Sequence, residues 1–117
     1  MIQRGSVVIA RFPYAGGTGA KVRPAIVIQS DRLNAKLKNT LLAMITGNIR
    51  LVGIEPSQFL IDPNTPQGST SGLIQPSAVK CENLATIPQS DIIDTIGQLS
   101  DPLMNELARC LRTALEL

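Results

Sequence analysis

Lys21-Val-Arg-Pro-Ala-Ile-Val-Ile-Gln-Ser30 sets one guanidinium directly before a proline and a run of aliphatic residues. Positions 25–28 are apolar without interruption, the pattern of a strand covered on both faces. Pro24 has no amide hydrogen and a fixed φ, which suits the first position of a strand, and it biases Arg23 towards an extended backbone. The stretch predicts a central strand with Arg23 at its mouth.

The flanking sequence extends this reading. Residues 6–12 predict a first strand ended by Pro13, and the glycine-rich stretch 14–20 a mobile hairpin connection. Residues 31–36 are too short and polar for more than a helical turn or loop, and 40–46 form another nearly all-apolar, central strand. A short strand over 58–62 and a polar loop over 63–72 follow. Residues 73–81 are expected to be extended with an interruption at Pro76, and 84–87 to be a last short strand. Ser90, Asp91 and Gly97 carry start and stop signals for a short helix over 90–96. Asp101-Pro102 caps a longer helix, in which Leu103, Leu107, Cys110, Leu111 and Ala114 form an apolar packing stripe. Short strands with helices mainly at the end indicate an α+β, mainly β, barrel-like fold.

A chain of 117 residues, 44% hydrophobic and 3% aromatic, is expected to form a single domain over 1–117 with an aliphatic core. Its net charge of +2 is unevenly spread. Residues 1–50 hold eight bases and one acid, a net +7, whereas the remainder holds three bases and eight acids, a net −5. A basic face able to attract a polyanion is one consequence, and charges scattered over the surface are the other reading. The absence of histidine excludes a Ser/His/Asp triad and histidine-ligated metal sites. No metal or cofactor is expected. Cys81 and Cys110 read as small buried hydrophobes in a reducing compartment. With no amino-terminal apolar segment and no run of transmembrane length, the expected location is cytoplasmic, away from membranes.

Residues 22–29 resemble the strand that bears the catalytic arginine in the MazF/PemK family of toxin endoribonucleases. Arg4-Gly-Ser-Val-Val-Ile-Ala-Arg-Phe-Pro13, Ala43-Met-Ile-Thr-Gly47, Pro76-Ser-Ala-Val-Lys80 and Thr95-Ile-Gly-Gln-Leu-Ser100 resemble further blocks of that family, in its order. The resemblance implies an SH3-like antiparallel β-barrel with a C-terminal helix, usually a homodimer. It also implies sequence-selective cleavage of single-stranded RNA, chiefly messenger RNA, with 2′,3′-cyclic phosphate and 5′-hydroxyl products, neutralised by a cognate antitoxin.

Residue chemistry is compatible with that activity. In RNA cleavage the 2′-hydroxyl is the nucleophile, so the protein must chiefly stabilise charge growing on the phosphate oxygens. An always-protonated, fork-shaped guanidinium does this. Arg23 is the candidate for that role, and a hydroxyl from Thr46 is placed to hydrogen-bond the same phosphate; the resemblance implies the same catalytic pair. Candidate RNA-binding residues are Tyr14 for stacking, Lys21 for phosphate, Thr18 in the loop, and Asn48, Gln75 and Ser77 for base edges. Thr18 stands where many family members have a loop glutamate, which leaves the general base unassigned, with Glu82 as a substitute. Two other readings are a non-catalytic toxin of the same fold acting on a protein such as gyrase, and a binding module that has lost catalysis.

Overall fold

The computed structural model describes residues 2–14 and 16–117. Six antiparallel strands run in the order β1 (Ser6–Pro13), β2 (Ala20–Val27), β3 (Asn39–Thr46), β4 (Gln58–Ile61), β5 (Ser77–Pro88) and β6 (Ile92–Gln98). The short α1 (Asp31–Lys36) joins β2 to β3, and α2 (Asp101–Leu115) follows β6. Strand neighbours across the sheet are β4-β5-β3-β2-β1-β6. The sheet coils into the expected barrel-like form, but its hydrogen-bonded ladder stays open between β4 and β6.

Alternation along the central strands explains why they are apolar throughout. Ile26, Ile28, Ala43, Ile45 and Val79 turn to one cluster, which α2 covers with Leu103, Leu107 and Cys110. Ala25, Val27, Leu42 and Met44 turn to the other, with Val8, Ala10 and Phe12. The α2 stripe is thus packing surface, as its spacing predicts. Arg109 and Glu106 lie off the stripe and pair at 2.8 Å. Among the described residues, no helix is long and apolar enough to cross a membrane.

Four local expectations need correction. Residues 92–98 form β6, not a helix; Ser90 sits in a 3-10 turn over Gln89–Asp91. The free edge of β1 takes Ile92, Thr95 and Gly97 into a ladder, and the β-branched residues favour that pairing over a short helix. Gly97 accordingly marks a bulge, not a helix stop. The segment read over 73–81, from Ser77 onwards, and the strand read over 84–87 are one strand, β5, whose register against β3 jumps from Met44↔Lys80 to Ala43↔Leu84. This bulge absorbs the polar Glu82 and Asn83 that separate the two runs in the sequence. Pro24 in turn is in the middle of β2. Only Ala25 to Val27 pair with β3, so the half of β2 before them has β1 on one side alone. An edge of that kind tolerates a missing amide. Finally, the N-cap of α2 is Ser100, with Asp101-Pro102 inside its first turn.

Cys81 on β5 and Cys110 on α2 are free thiols, both fully buried. Burial, reinforced by Cys110 and Glu82, pushes the Cys81 thiol up to about 12. Below the unfolded thiol's ordinary value near 9, both states hold the proton and nothing is lost. As pH rises from about 9 towards 12, the unfolded chain sheds a proton that the folded chain keeps, so stability falls. Urea midpoints between pH 8 and 10.5 should fall more steeply for the wild type than for Cys81→Ala; parallel slopes would remove this coupling.

Candidate active site

The backbone register brings Arg23 and Thr46 together. Ala25 faces Met44 at the last paired position between β2 and β3. Continued two residues past the end of the ladder, that register would set Arg23 opposite Thr46, and alternation turns both side chains to the Ala25/Met44 side of the sheet. Their outer neighbours in the row are small: Ala10 faces Arg23, and Ala78 faces Thr46. The β2–β3 ladder stops short of the pair, and a cleft of about 430 Å³ opens at this end of the strands.

Arg23 and Thr46 both line this cleft, as do Lys21, Gln75 and Ser77. Arg23 is half-buried, and its guanidinium has no hydrogen-bond or ion-pair partner among the described residues. The Thr46 Oγ1 accepts the Asn48 amide at 3.2 Å, which turns the chain out of β3 and leaves the hydroxyl proton available to donate. Buried Ser77 is differently employed. Its hydroxyl donates to the Gln75 carbonyl at 3.0 Å and closes the turn around Pro76, so it positions Gln75. A Cβ on Gly47 would lie 2.9 Å from the Gln75 Nε2, so the bare glycine lets that amide lie across the end of β3.

The remaining candidates lie elsewhere. Tyr14, 50% exposed, belongs to the β1–β2 hairpin, where its amide donates to the Gly19 carbonyl and its ring packs over Gly19. Thr18 is exposed at the same hairpin, and neither residue lines the cleft. Ala15 of this loop lies outside the described residues. Asn48 faces a second, smaller pocket on the far side of Thr46. Glu82 is not a cleft residue: its carboxylate accepts from Ser57 Oγ at 3.1 Å and from Gln58 Nε2 at 2.7 Å. No carboxylate is among the described residues lining the cleft.

Sequence reading did not single out the apolar rim of the cleft, formed by Ile9, Leu73, Ile74 and Ile96. Ile74 at this rim is 96% exposed, a property that only the fold reveals. Charge has separated in space. Lys21 and Arg23 line the cleft, and Arg50 and Lys80 line the pocket beyond Thr46. Glu55, Asp62 and Glu106 lie instead along a groove between β4 and α2, where Arg109 is the one base among the described lining residues. Arg32, Lys36 and Lys38 are exposed on and just after α1.

Residues 3–115 match the family model described as PemK-like, MazF-like toxin of type II toxin-antitoxin system. The chain is 35% identical over 106 residues to the endoribonuclease MazF2 of Mycobacterium bovis, covering 90% of this chain and 88% of that protein. It is 29% identical over 118 residues to the endoribonuclease EndoA of Bacillus subtilis, covering 100% and 97%. Among solved structures, the Mycobacterium tuberculosis toxin MazF-mt6 superposes with a TM-score of 0.76 at 28% identity, covering 96% of this chain and 97% of that one.

Proposed function

The chain belongs to the PemK-like, MazF-like toxins of type II toxin–antitoxin systems, and from that we propose that residues 1–117 form a single-domain, sequence-selective, metal-independent endoribonuclease toxin. It cuts single-stranded RNA, messenger RNA above all, in the cytoplasm until a cognate antitoxin neutralises it. The observation that carries this reading is the facing placement of Arg23 and Thr46 on one cleft, with Lys21 beside them.

In this mechanism a 2′-oxygen attacks the adjacent phosphorus, the bond from phosphorus to the 5′-oxygen breaks, and no water is consumed. The 2′-hydroxyl loses a proton and the departing 5′-oxygen gains one. The products are a 2′,3′-cyclic phosphate and a 5′-hydroxyl. Arg23 offers two parallel N–H donors to the nonbridging oxygens as their charge grows. Thr46 donates from the facing strand, and two donors on rigid strands hold the phosphate for in-line attack. Lys21 draws the backbone in. With no carboxylate among the lining residues, solvent exchanges the protons and the rate rests on charge placement. Gln75 takes part in binding the strand within the cleft and Ser77 does so by holding Gln75, while Tyr14 and Thr18 meet the strand from the β1–β2 hairpin outside it. Exposed Val22, Ile54 and Ile74 offer apolar surface to a second copy in a homodimer.

Purified protein incubated with a long messenger RNA in excess EDTA should yield discrete fragments with cyclic-phosphate ends. RNA bound but uncut would instead favour a module that has lost catalysis. RNA neither bound nor cut would return the non-catalytic toxin acting on a protein target.

A further inference from the structure

Beyond Thr46, away from the cleft, a pocket of about 100 Å³ is lined by Thr46, Asn48, Arg50, Leu51, Gln58 and Lys80. Gln58 faces Lys80 across β4 and β5, and Lys80 faces Met44 on β3, so Gln58 and Lys80 rise on the same side of the sheet as Thr46 and Arg23. Gln58 is only 4% exposed. Its Nε2 donates to the Glu82 carboxylate at 2.7 Å, and because an ionised carboxylate only accepts, the amide is locked in one orientation. That leaves Gln58 Oε1 pointing away from Glu82, buried and without a partner among the described residues.

Buried carbonyl oxygens are seldom left unpaired, and each one that is loses the hydrogen bonds it would make in water. Gln58 lines both the groove between β4 and α2 and this pocket, which shares Thr46 with the cleft. The pocket has room for about three water molecules at roughly 30 Å³ each. That is too little for a nucleotide, but enough for a group projecting from the edge of a base. Arg50 and Lys80 add two cations at the same place.

Resting on the nuclease reading above, we infer that this pocket is a specificity subsite: Gln58 Oε1 accepts from the exocyclic amine of a base beside the scissile phosphate, while Lys80 and Arg50 hold the adjoining phosphate. The RNA strand therefore crosses the ridge made by Thr46, with the scissile linkage on the Arg23 side and the flanking base on the Gln58 side. Adenine, cytosine and guanine carry the amine. Uracil does not, and is disfavoured at that position.

The test is cleavage of an RNA library randomised around a cut site. The wild type should prefer amine-bearing bases over uracil by about fivefold at one flanking position, the scale of a single net hydrogen bond. Gln58→Leu should erase that preference and leave the preferences at other positions in place. Replacing adenosine by purine riboside at that position should slow the wild type by the same factor, a comparison that needs no folded variant. Lys80→Met should lower the salt dependence of binding by about 0.7 in the log–log slope, as for one lost single-strand phosphate contact. A folded Gln58→Leu protein that keeps the wild-type preference, or equal rates with adenosine and purine riboside, would overturn the inference and leave the carbonyl to an internal water. If the wild type cuts no RNA, the nuclease reading has failed by itself. Binding of an oligonucleotide with a 2′-deoxy sugar at the cut, compared between adenosine and purine riboside, then still decides the subsite.

Discussion

Arg23→Ala should reduce kcat/KM for RNA cleavage by about 10³-fold, the upper range for removing one preorganised donor from a developing oxyanion. Its folded state should change little. The guanidinium has no protein partner among the described residues, so truncation orphans no buried group and breaks no ion pair. Tm is expected to stay within a few degrees of the wild type, and RNA binding to weaken far less than cleavage. Arg23→Lys separates charge from geometry. A lysine keeps the positive charge but presents a point donor in place of a planar fork, so it should recover only part of the loss. If Arg23→Ala cleaved at the wild-type rate with a wild-type Tm, the facing pair would have no catalytic meaning and the cleft would be a binding surface at most.

The second large effect concerns stability. Gly97→Ala should destabilise the protein by about 3 kcal/mol, the upper range for overpacking a filled site, with Tm lower by about 10 °C. The strand β6 is stitched to the preceding loop at the next residue, Gln98. The Gln98 amide donates to the Thr70 carbonyl at 3.0 Å, and Thr70 Oγ1 donates to the Gln98 carbonyl at 2.7 Å. A Cβ at 97 would overlap the Ser71 carbonyl and stand 2.5 Å from the Thr70 carbonyl oxygen. Neither neighbour is a flexible side-chain tip, so the backbone itself must move. Gly72 meets the Ile96 carbonyl in the same way from the opposite side. Because residues 70–72 lead directly into Gln75 and Ser77, the displacement should also spoil the cleft. A Gly97→Ala protein with wild-type midpoint and activity would mean that the loop and β6 separate at no cost. The two variants contrast: one loses chemistry with its stability intact, and the other loses stability around an intact Arg23.

Much of the frame can be read directly from residue order. The uninterrupted apolar runs of β1, β2 and β3, and the 103/107/110 stripe of α2, are local patterns, and local patterns survive translation into structure. Arg23 stands out for a similar reason, since a guanidinium before a proline and an aliphatic run is conspicuous without any partner in view. Residues 90–96 show where this stops. Their Ser, Asp and Gly signals are real helix signals, but the open edge of β1 offered Ile92 and Thr95 a ladder, and long-range pairing outweighed a short local preference. The polar Glu82 and Asn83 likewise looked like a break between strands, when a bulge carries them within one.

The chain's covalent order was enough to settle its strand-forming runs, its carboxy-terminal packing helix, its basic first half and the one guanidinium worth following, because each depends on neighbours a few positions away. Folding in three dimensions decided that Arg23 and Thr46 line one cleft, that Gln75 and Ser77 arrive beside them from a loop pinned against Gly97, that Tyr14, Thr18 and Asn48 do not line it, and that Gln58 keeps a buried, unpaired carbonyl. Those outcomes turn on register, bulges and which sheet edge is left free. Such features are properties of pairs of distant segments, and no single segment encodes them.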